Sequence, residues 1–361
     1  MKPRNIAIAC GVAGVAVGLA AAAGIVYRKQ IKSVASLKRL TCYADGYDLY
    51  AIDIAYDYDL DRIIAADVRD DQAYIDAVVA QVLPGVPAHV QAPQFACSAF
   101  AAVDAEGRVR TGRNYDFKDD TSALLARNHP RGGYASIGFA ALNNLGANTP
   151  LDSVAGRAAA LMGPFAQLDG INECGVSIAV LTLDSKPCDQ DTQRPVINTS
   201  LAIRLVLDRA ATTQEAVDLL SAYDMHAMAG RDYHFFINDA AGDARVVEWD
   251  PRDPDRACKV TPVRQVTNFY ACYGDEVLPN QKNGELGHGK ERAVAIADVL
   301  DAHVGAQDEA VAWKALRAAA QEPNPEDITS NTQWSVVFDN TEPAAAITLR
   351  RHWGDVDAFA L

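Results

Sequence analysis

Hydrophobic and polar positions alternate with period two along residues 50–60. Tyr50, Ile52, Ile54, Tyr56, Tyr58 and Leu60 fall on one side, and Ala51, Asp53, Ala55, Asp57 and Asp59 on the other. This predicts a strand with one buried face and one solvated acidic face. The aspartates could also hold calcium, but alternation accounts for them without an ion. The period then changes: Asp71 stands at an N-cap position, and Ile75, Val78, Val79, Val82 and Leu83 form one stripe of a helix. PGVPAHVQAP, residues 84–93, stops that helix and reads as a linker.

Beyond the linker, the pattern predicts strands over 94–103, 108–115, 165–170, 176–183, 233–238, 244–249, 262–268, 334–339 and 345–350. It predicts helices over 199–210, 213–223, 290–303 and 307–319. Runs of strands separated by packed helices imply a layered α+β body rather than strict βαβ alternation.

At the other end of the chain, residues 6–27 carry no charge. At about 1.5 Å rise per residue such a run spans a bilayer. Arg28, Lys29 and Lys32 close it, so residues 1–32 are expected to be an uncleaved membrane anchor. A cleavable signal ending near Ala21-Ala22-Ala23 is the alternative. Basic residues flank both ends and slightly favour the body on the inner side. Residues 33–96 then form a small folded segment, with one strand, one helix and the linker, that depends on a neighbour for burial.

A formal net charge of −14 excludes nucleic acid as the main partner, since phosphate binding calls for a basic face. The seven cysteines include no CxxC pair and are odd in number, which disfavours a zinc ribbon or a disulfide framework. No histidine lies in a metal or thiol-protease signature, and no metal or cofactor is expected.

Cys97 carries the candidate chemistry. It stands inside a predicted strand, in FACSAFAAVDAEGRVRTGRNYDF, residues 95–117. A free thiol is mostly protonated at neutral pH and needs a base. Cutting the Ala96–Cys97 bond would supply one, because the new α-amine has a pKa near 8. AEGR at 105–108 turns the chain, and the returning strand brings Arg113 and Asp116 beside the cysteine. The arginine favours thiolate, and the carboxylate can hold the ammonium.

This hairpin resembles the nucleophile hairpin of the choloylglycine hydrolase family of linear amide C–N hydrolases. That group of N-terminal-nucleophile (Ntn) enzymes includes bile salt hydrolases and penicillin V acylases, with acid ceramidase and N-acylethanolamine acid amidase as relatives. Further segments are similar in order: LDGINECGVSIAVL (168–181), DYHFFINDAAGDARVVEWD (232–250), VTNFY (266–270), GHGKERAVAI (287–296) and TQWSVVFD (332–339).

The resemblance implies a four-layer αββα Ntn sandwich over residues 97–361. It implies catalysis by Cys97, Arg113 and Asp116, with Asn172 and Asn268 at the oxyanion and Arg292 as a second active-site arginine. It also implies a pro-segment that is cut autocatalytically before Cys97 and stays attached. The expected substrates are N-acyl amides with an apolar acyl part: conjugated bile salts first, then phenoxyacyl penicillins or fatty acyl amides. Loops 118–164 and 271–288 are expected to form the pocket walls; Tyr134, Ile137 and Phe139 are on offer there for an acyl or steroid body, although residues of this kind more often belong to the core. By the same analogy the catalytic part is extracytoplasmic, anchored through residues 6–27, with homo-oligomers possible. Two alternatives stand beside hydrolysis: a cleavage-deficient Ntn-fold binding protein, and an acyltransferase that uses the same acyl-enzyme.

Overall fold

Two short hydrogen bonds start the hairpin that carries Cys97. The Asp104 carboxylate accepts from the backbone N–H groups of Glu106 and Arg108 at 3.1 and 2.8 Å. Gly107, at φ +79°, supplies the left-handed position the turn requires. This computed structural model describes residues 27–83, 96–147, 151–282, 284–326 and 330–361.

Strands are numbered in chain order: β1 Lys38–Arg39, β2 Leu49–Asp53, β3 Ala96–Val103, β4 Val109–Asp116, β5 Ala123–Asn128, β6 Ser136–Ala141, β7 Gln167–Asn172, β8 Ser177–Leu183, β9 Val196–Asn198, β10 Asp224–His226, β11 Asp232–Asn238, β12 Arg245–Trp249, β13 Cys258–Pro262, β14 Gln265–Val266, β15 Thr332–Asp339, β16 Ala344–Leu349 and β17 Asp357–Ala360. The smaller of the two main sheets runs β14-β3-β4-β15-β16-β17 and the larger β1-β2-β5-β6-β7-β8-β11-β12-β13, while β9 and β10 pair by themselves in parallel.

The sheets face each other. Phe338 of β15 meets Phe139 of β6 with ring centroids 6.3 Å apart, and the Trp334 indole N–H reaches the Asp169 carboxylate of β7. Helices Lys290–Asp301 and Glu309–Ala319 bury Ile296, Leu300, Ala315 and Leu316 against Phe100, Ala102 and Val337, on the outer face of the smaller sheet. Helix Thr199–Arg209 packs on β7 and β8 of the larger sheet, with helix Thr213–Ser221 beside it. From one side to the other, the layers are helix, sheet, sheet, helix.

The helices begin where the sequence supplies a cap. Asn198, Thr212 and Asp308 each accept a hydrogen bond from the first turn that follows. The Asp71 helix begins one residue earlier than expected: its cap is Asp70, which accepts from Ala73 N–H, and the helix runs Asp71–Val82. Ile75, Val78, Val79 and Val82 on its stripe are buried.

The expected strand over 50–60 is corrected. β2 ends at Asp53, and Leu49, Tyr50, Ala51 and Ile52 are all buried. Only its length fails: within β2 Ala51 is buried too, because the strand lies inside the larger sheet between β1 and β5, while beyond it Ile54, Tyr56 and Leu60 stay buried and Asp53, Asp57 and Asp59 exposed, as the alternation predicts. Its pairing with β5 is parallel, with Leu49 opposite Ala123. The chain past Asp53 leaves the sheet, and residues 60–64 form a short helix capped by Asp59.

Several acidic residues of this segment, exposed as they are, pair with arginines from the rest of the protein. Asp45 pairs with Arg350 at 2.9 Å, Asp57 with Arg131 at 3.0 Å, and Asp61 with Arg209 at 2.8 Å. Three tyrosines of this segment also reach across: Tyr56 and Tyr74 donate to the carbonyls of Leu161 and Phe165, and Tyr58 to the Asp208 carboxylate.

Segment 27–83 is thus built into the core rather than laid upon it. A chain cut before Cys97 is expected to elute as one particle on gel filtration at high salt, because exposed ion pairs contribute little and buried β2 holds the pieces. Separation of the pieces by salt alone would contradict this. Among the described residues no helix is long and apolar enough to cross a membrane. The expected anchor over 6–27 and the 84–93 linker fall almost entirely outside the described residues.

Candidate active site

Cys97 is the second residue of β3 and is completely buried. Antiparallel pairing puts Tyr115 of β4 opposite it and Asp116 opposite Ala96. Alternation then sends Cys97, Arg113 and Tyr115 into the space between the sheets. The Arg113 guanidinium donates through Nη2 to Cys97 Sγ at 3.2 Å and to the Val180 carbonyl of β8 at 3.3 Å. Its Nε faces Asp169 Oδ2 at 2.9 Å. The rings of Tyr115 and Trp334 stack at 4.1 Å, and Arg113 lies over both, 5.1 and 5.7 Å from their centroids.

Backbone groups of Cys97 are held from a different side. Its N–H donates to Asn268 Oδ1 at 2.9 Å, and its carbonyl accepts from Arg292 Nη1 at 2.7 Å. Arg292 Nη2 also donates to Asn268 Oδ1, at 2.7 Å. The orientation of the Asn268 amide follows: its oxygen faces Cys97, and Nδ2 donates one hydrogen to the Thr182 carbonyl at 2.8 Å.

Arg292 faces Asp116 at 3.3 Å. That carboxylate also accepts from Thr332 Oγ1 at 2.6 Å and Gln321 Nε2 at 2.9 Å. Of the two arginines expected near the thiol, only Arg113 touches it; Arg292 acts on the backbone and on Asn268. Gly289 makes room for this. It has φ +82°, and a Cβ there would lie 2.4 Å from Arg292 Nη2.

Burial dominates the electrostatics. It pushes the Cys97 thiol up to about 12, with Arg113 and Arg292 opposing the shift and the Asp116 and Asp169 carboxylates adding to it. Burial also raises Asp116, against Arg292 and the donors from Thr332 and Gln321. Asp169 is pushed up to about 6 by burial, opposed by Arg113 and the Trp334 N–H. Burial thus favours the neutral thiol, and the two arginines are the groups that oppose it.

The structure brings together Cys97, Arg113, Asp116, Asn268 and Arg292, and leaves Asn172 out. The Asn172 side chain donates to the carbonyls of Leu207 and Ala210 at 3.2 and 2.7 Å and accepts from Cys174 and Val176 N–H. It locks the β7–β8 turn to the end of helix Thr199–Arg209, so both its hydrogens are already used. Asn172→Ala is expected to lower stability by at least about 3 kcal/mol, since several buried backbone groups lose partners. The kcat/KM of the folded fraction should stay within about threefold; a loss of turnover at unchanged melting temperature would restore a catalytic role.

Of the residues on offer for the acyl group, Ile137 and Phe139 take the core alternative: both are buried in β6, with Phe139 against Phe338. Asp169 and Trp334 were not singled out by sequence reasoning. The available signal was one carboxylate inside an otherwise uncharged strand, QLDGIN.

The comparisons with known proteins fit this geometry. A family model described as acyl-coenzyme A:6-aminopenicillanic acid acyl-transferase matches residues 103–352. No curated protein matches the chain significantly in sequence. Among solved structures, a variant of the conjugated bile acid hydrolase from Clostridium perfringens is 15% identical, with a TM-score of 0.56, over 73% of this chain and 92% of that one. Penicillin V acylase from Agrobacterium tumefaciens is 20% identical, with a TM-score of 0.53, over 73% and 86%. These likenesses establish the mixed α/β fold of the Ntn hydrolases. The family match and the ordered motifs agree, and the chain belongs to the acyl-coenzyme A:6-aminopenicillanic acid acyl-transferase family, within the wider group of linear amide C–N hydrolases.

Proposed function

We propose that this chain cuts its own Ala96–Cys97 bond and then hydrolyses the C–N bond of N-acyl amides through Cys97. One observation carries the reading: a strand-borne thiol 3.2 Å from a buried guanidinium, with its own backbone N–H on Asn268. A cysteine placed only for packing has no use for either contact.

In the cut, Sγ attacks the Ala96 carbonyl carbon and the C–N bond breaks. The Cys97 nitrogen takes the proton and becomes an amine. Water hydrolyses the resulting thioester, leaving a carboxylate on Ala96. In turnover, the freed amine accepts the thiol proton and the thiolate attacks the substrate carbonyl. The remaining Asn268 Nδ2 hydrogen stabilises the oxyanion, a donor role typically worth about 2.7–4 kcal/mol. The ammonium proton passes to the leaving nitrogen, and water then cleaves the acyl-enzyme to release the acid. Asn268 Oδ1 orients the amine, while Asp116 and Arg292 fix the start of the strand.

The substrate class is an N-acyl amide with an apolar acyl part, of the bile salt, penicillin V or fatty acyl type. The protein is proposed to sit at a membrane through residues 6–27, with its catalytic part outside the cytoplasm. The family description favours a second reading, in which an amine rather than water takes the acyl group; both share the acyl-enzyme. N-terminal sequencing and intact mass should find a piece beginning at Cys97, and an amide panel with and without added amine separates hydrolysis from transfer. An uncut protein with full amidase activity would overturn the mechanism at its first step.

A further inference from the structure

Resting on that reading of Cys97, we propose that Asp169 is the positioning residue of the thiol, acting through Arg113 and held in place by Trp334. Each link is direct. Trp334 Nε1 donates to Asp169 Oδ2 at 3.0 Å, the same oxygen faces Arg113 Nε at 2.9 Å, and Arg113 Nη2 reaches Cys97 Sγ at 3.2 Å. The three strands involved, β15, β7 and β4, come from both sheets, so the device closes only when the sandwich is assembled. Arg113 and Asp169 are both fully buried. A guanidinium has a rigid planar fork, and fixing one edge on a carboxylate fixes where the other edge points.

The sign of the effect distinguishes positioning from simple charge. The Asp169 carboxylate by itself disfavours a thiolate at Cys97, since it is a nearby negative charge. If charge were its only influence, Asp169→Asn would make the thiol more acidic. If it positions Arg113, the same substitution lets the guanidinium turn away, and the thiol becomes less acidic. The other titratable groups facing the cysteine are Asp116 and Tyr115 on β4, Tyr233 on β11 and Arg292 on helix Lys290–Asp301; Asp116 and Arg292 pair with each other.

The test is the pH profile of Cys97 alkylation by iodoacetamide, followed by peptide mass so that the other cysteines do not intrude. It needs no amide substrate, so it remains informative if the proposed activity fails; because Cys97 is completely buried, the reagent reaches it only on local opening, and the midpoint of the profile is read together with the rate. Asp169→Asn should slow alkylation at neutral pH at least tenfold and move the midpoint of the profile upward. Trp334→Phe keeps the aromatic stack but loses the N–H, and should slow it less, in the same direction; it serves as the readout if the asparagine variant does not fold. Adding Asp169→Asn to Arg113→Met should change the rate less than twofold. Alkylation as fast as or faster than wild type in both single variants, or an undiminished effect without Arg113, would overturn the assignment.

Discussion

Replacing Cys97 with alanine is expected to give one full-length species and no amidase activity, where the wild type splits before residue 97. The same sulfur is asked to attack the Ala96 carbonyl and, later, the substrate carbonyl, so both events vanish together. Removing a nucleophile that works with its partners as a unit removes nearly all the rate the unit provides, here at least about a thousandfold. The methyl group fills most of the space left by a thiol that is already completely buried, so the fold should survive. Intact mass gives the first half of the result and a chromogenic amide the second. A Cys97→Ala chain that still splits at the same bond would remove the thiol from the mechanism.

Exchanging Arg113 for lysine should lower kcat/KM by about a hundredfold or more, the size of effect seen when one preorganised donor is lost. Charge is kept, so a purely electrostatic account predicts little change. Geometry predicts much. Arg113 joins Cys97 Sγ, the Val180 carbonyl and Asp169 with one rigid fork, and it lies over the Tyr115 and Trp334 rings. A single ammonium on a flexible stem cannot meet the sulfur and the carboxylate at once. The lost half of a buried ion pair also costs stability, about 3–5 kcal/mol when a partner is removed outright. Turnover should therefore be measured per folded molecule. Activity within twofold of wild type would show that the fork has no part in catalysis.

The hairpin and the helices were legible because they are local. Cys97, Arg113 and Asp116 share one turn, and their spacing alone brings them to the same end of two paired strands. Asn268 and Arg292 were found through ordered motifs, and the glycine at 289 shows why that loop is spelled as it is. Asn172 stands apart from the thiol for a physical reason. An asparagine that bonds four backbone groups around a turn and one that binds an oxyanion look alike in sequence, and only the position of helix Thr199–Arg209 separates them.

β5 and β6 went unread because strands buried on both faces do not alternate. Around β2 the alternation was real and the burial follows it, but the strand stops at Asp53, and alternation alone does not mark where a strand leaves its sheet. Asp169 was invisible as a partner because Arg113 belongs to the opposite sheet.

The parallel pairing of β2 with β5 bears on the life history of the protein. The connection between those strands runs through residue 97, so the proposed cut severs the tether that delivered β2 to its place. An uncut chain that is denatured can search for its native arrangement as one molecule, whereas the matured protein would have to do so as two, at a rate set by dilution. Maturation would then be irreversible in a second sense: recovery after denaturation should be good for Cys97→Ala and poor, and dependent on protein concentration, for the processed wild type.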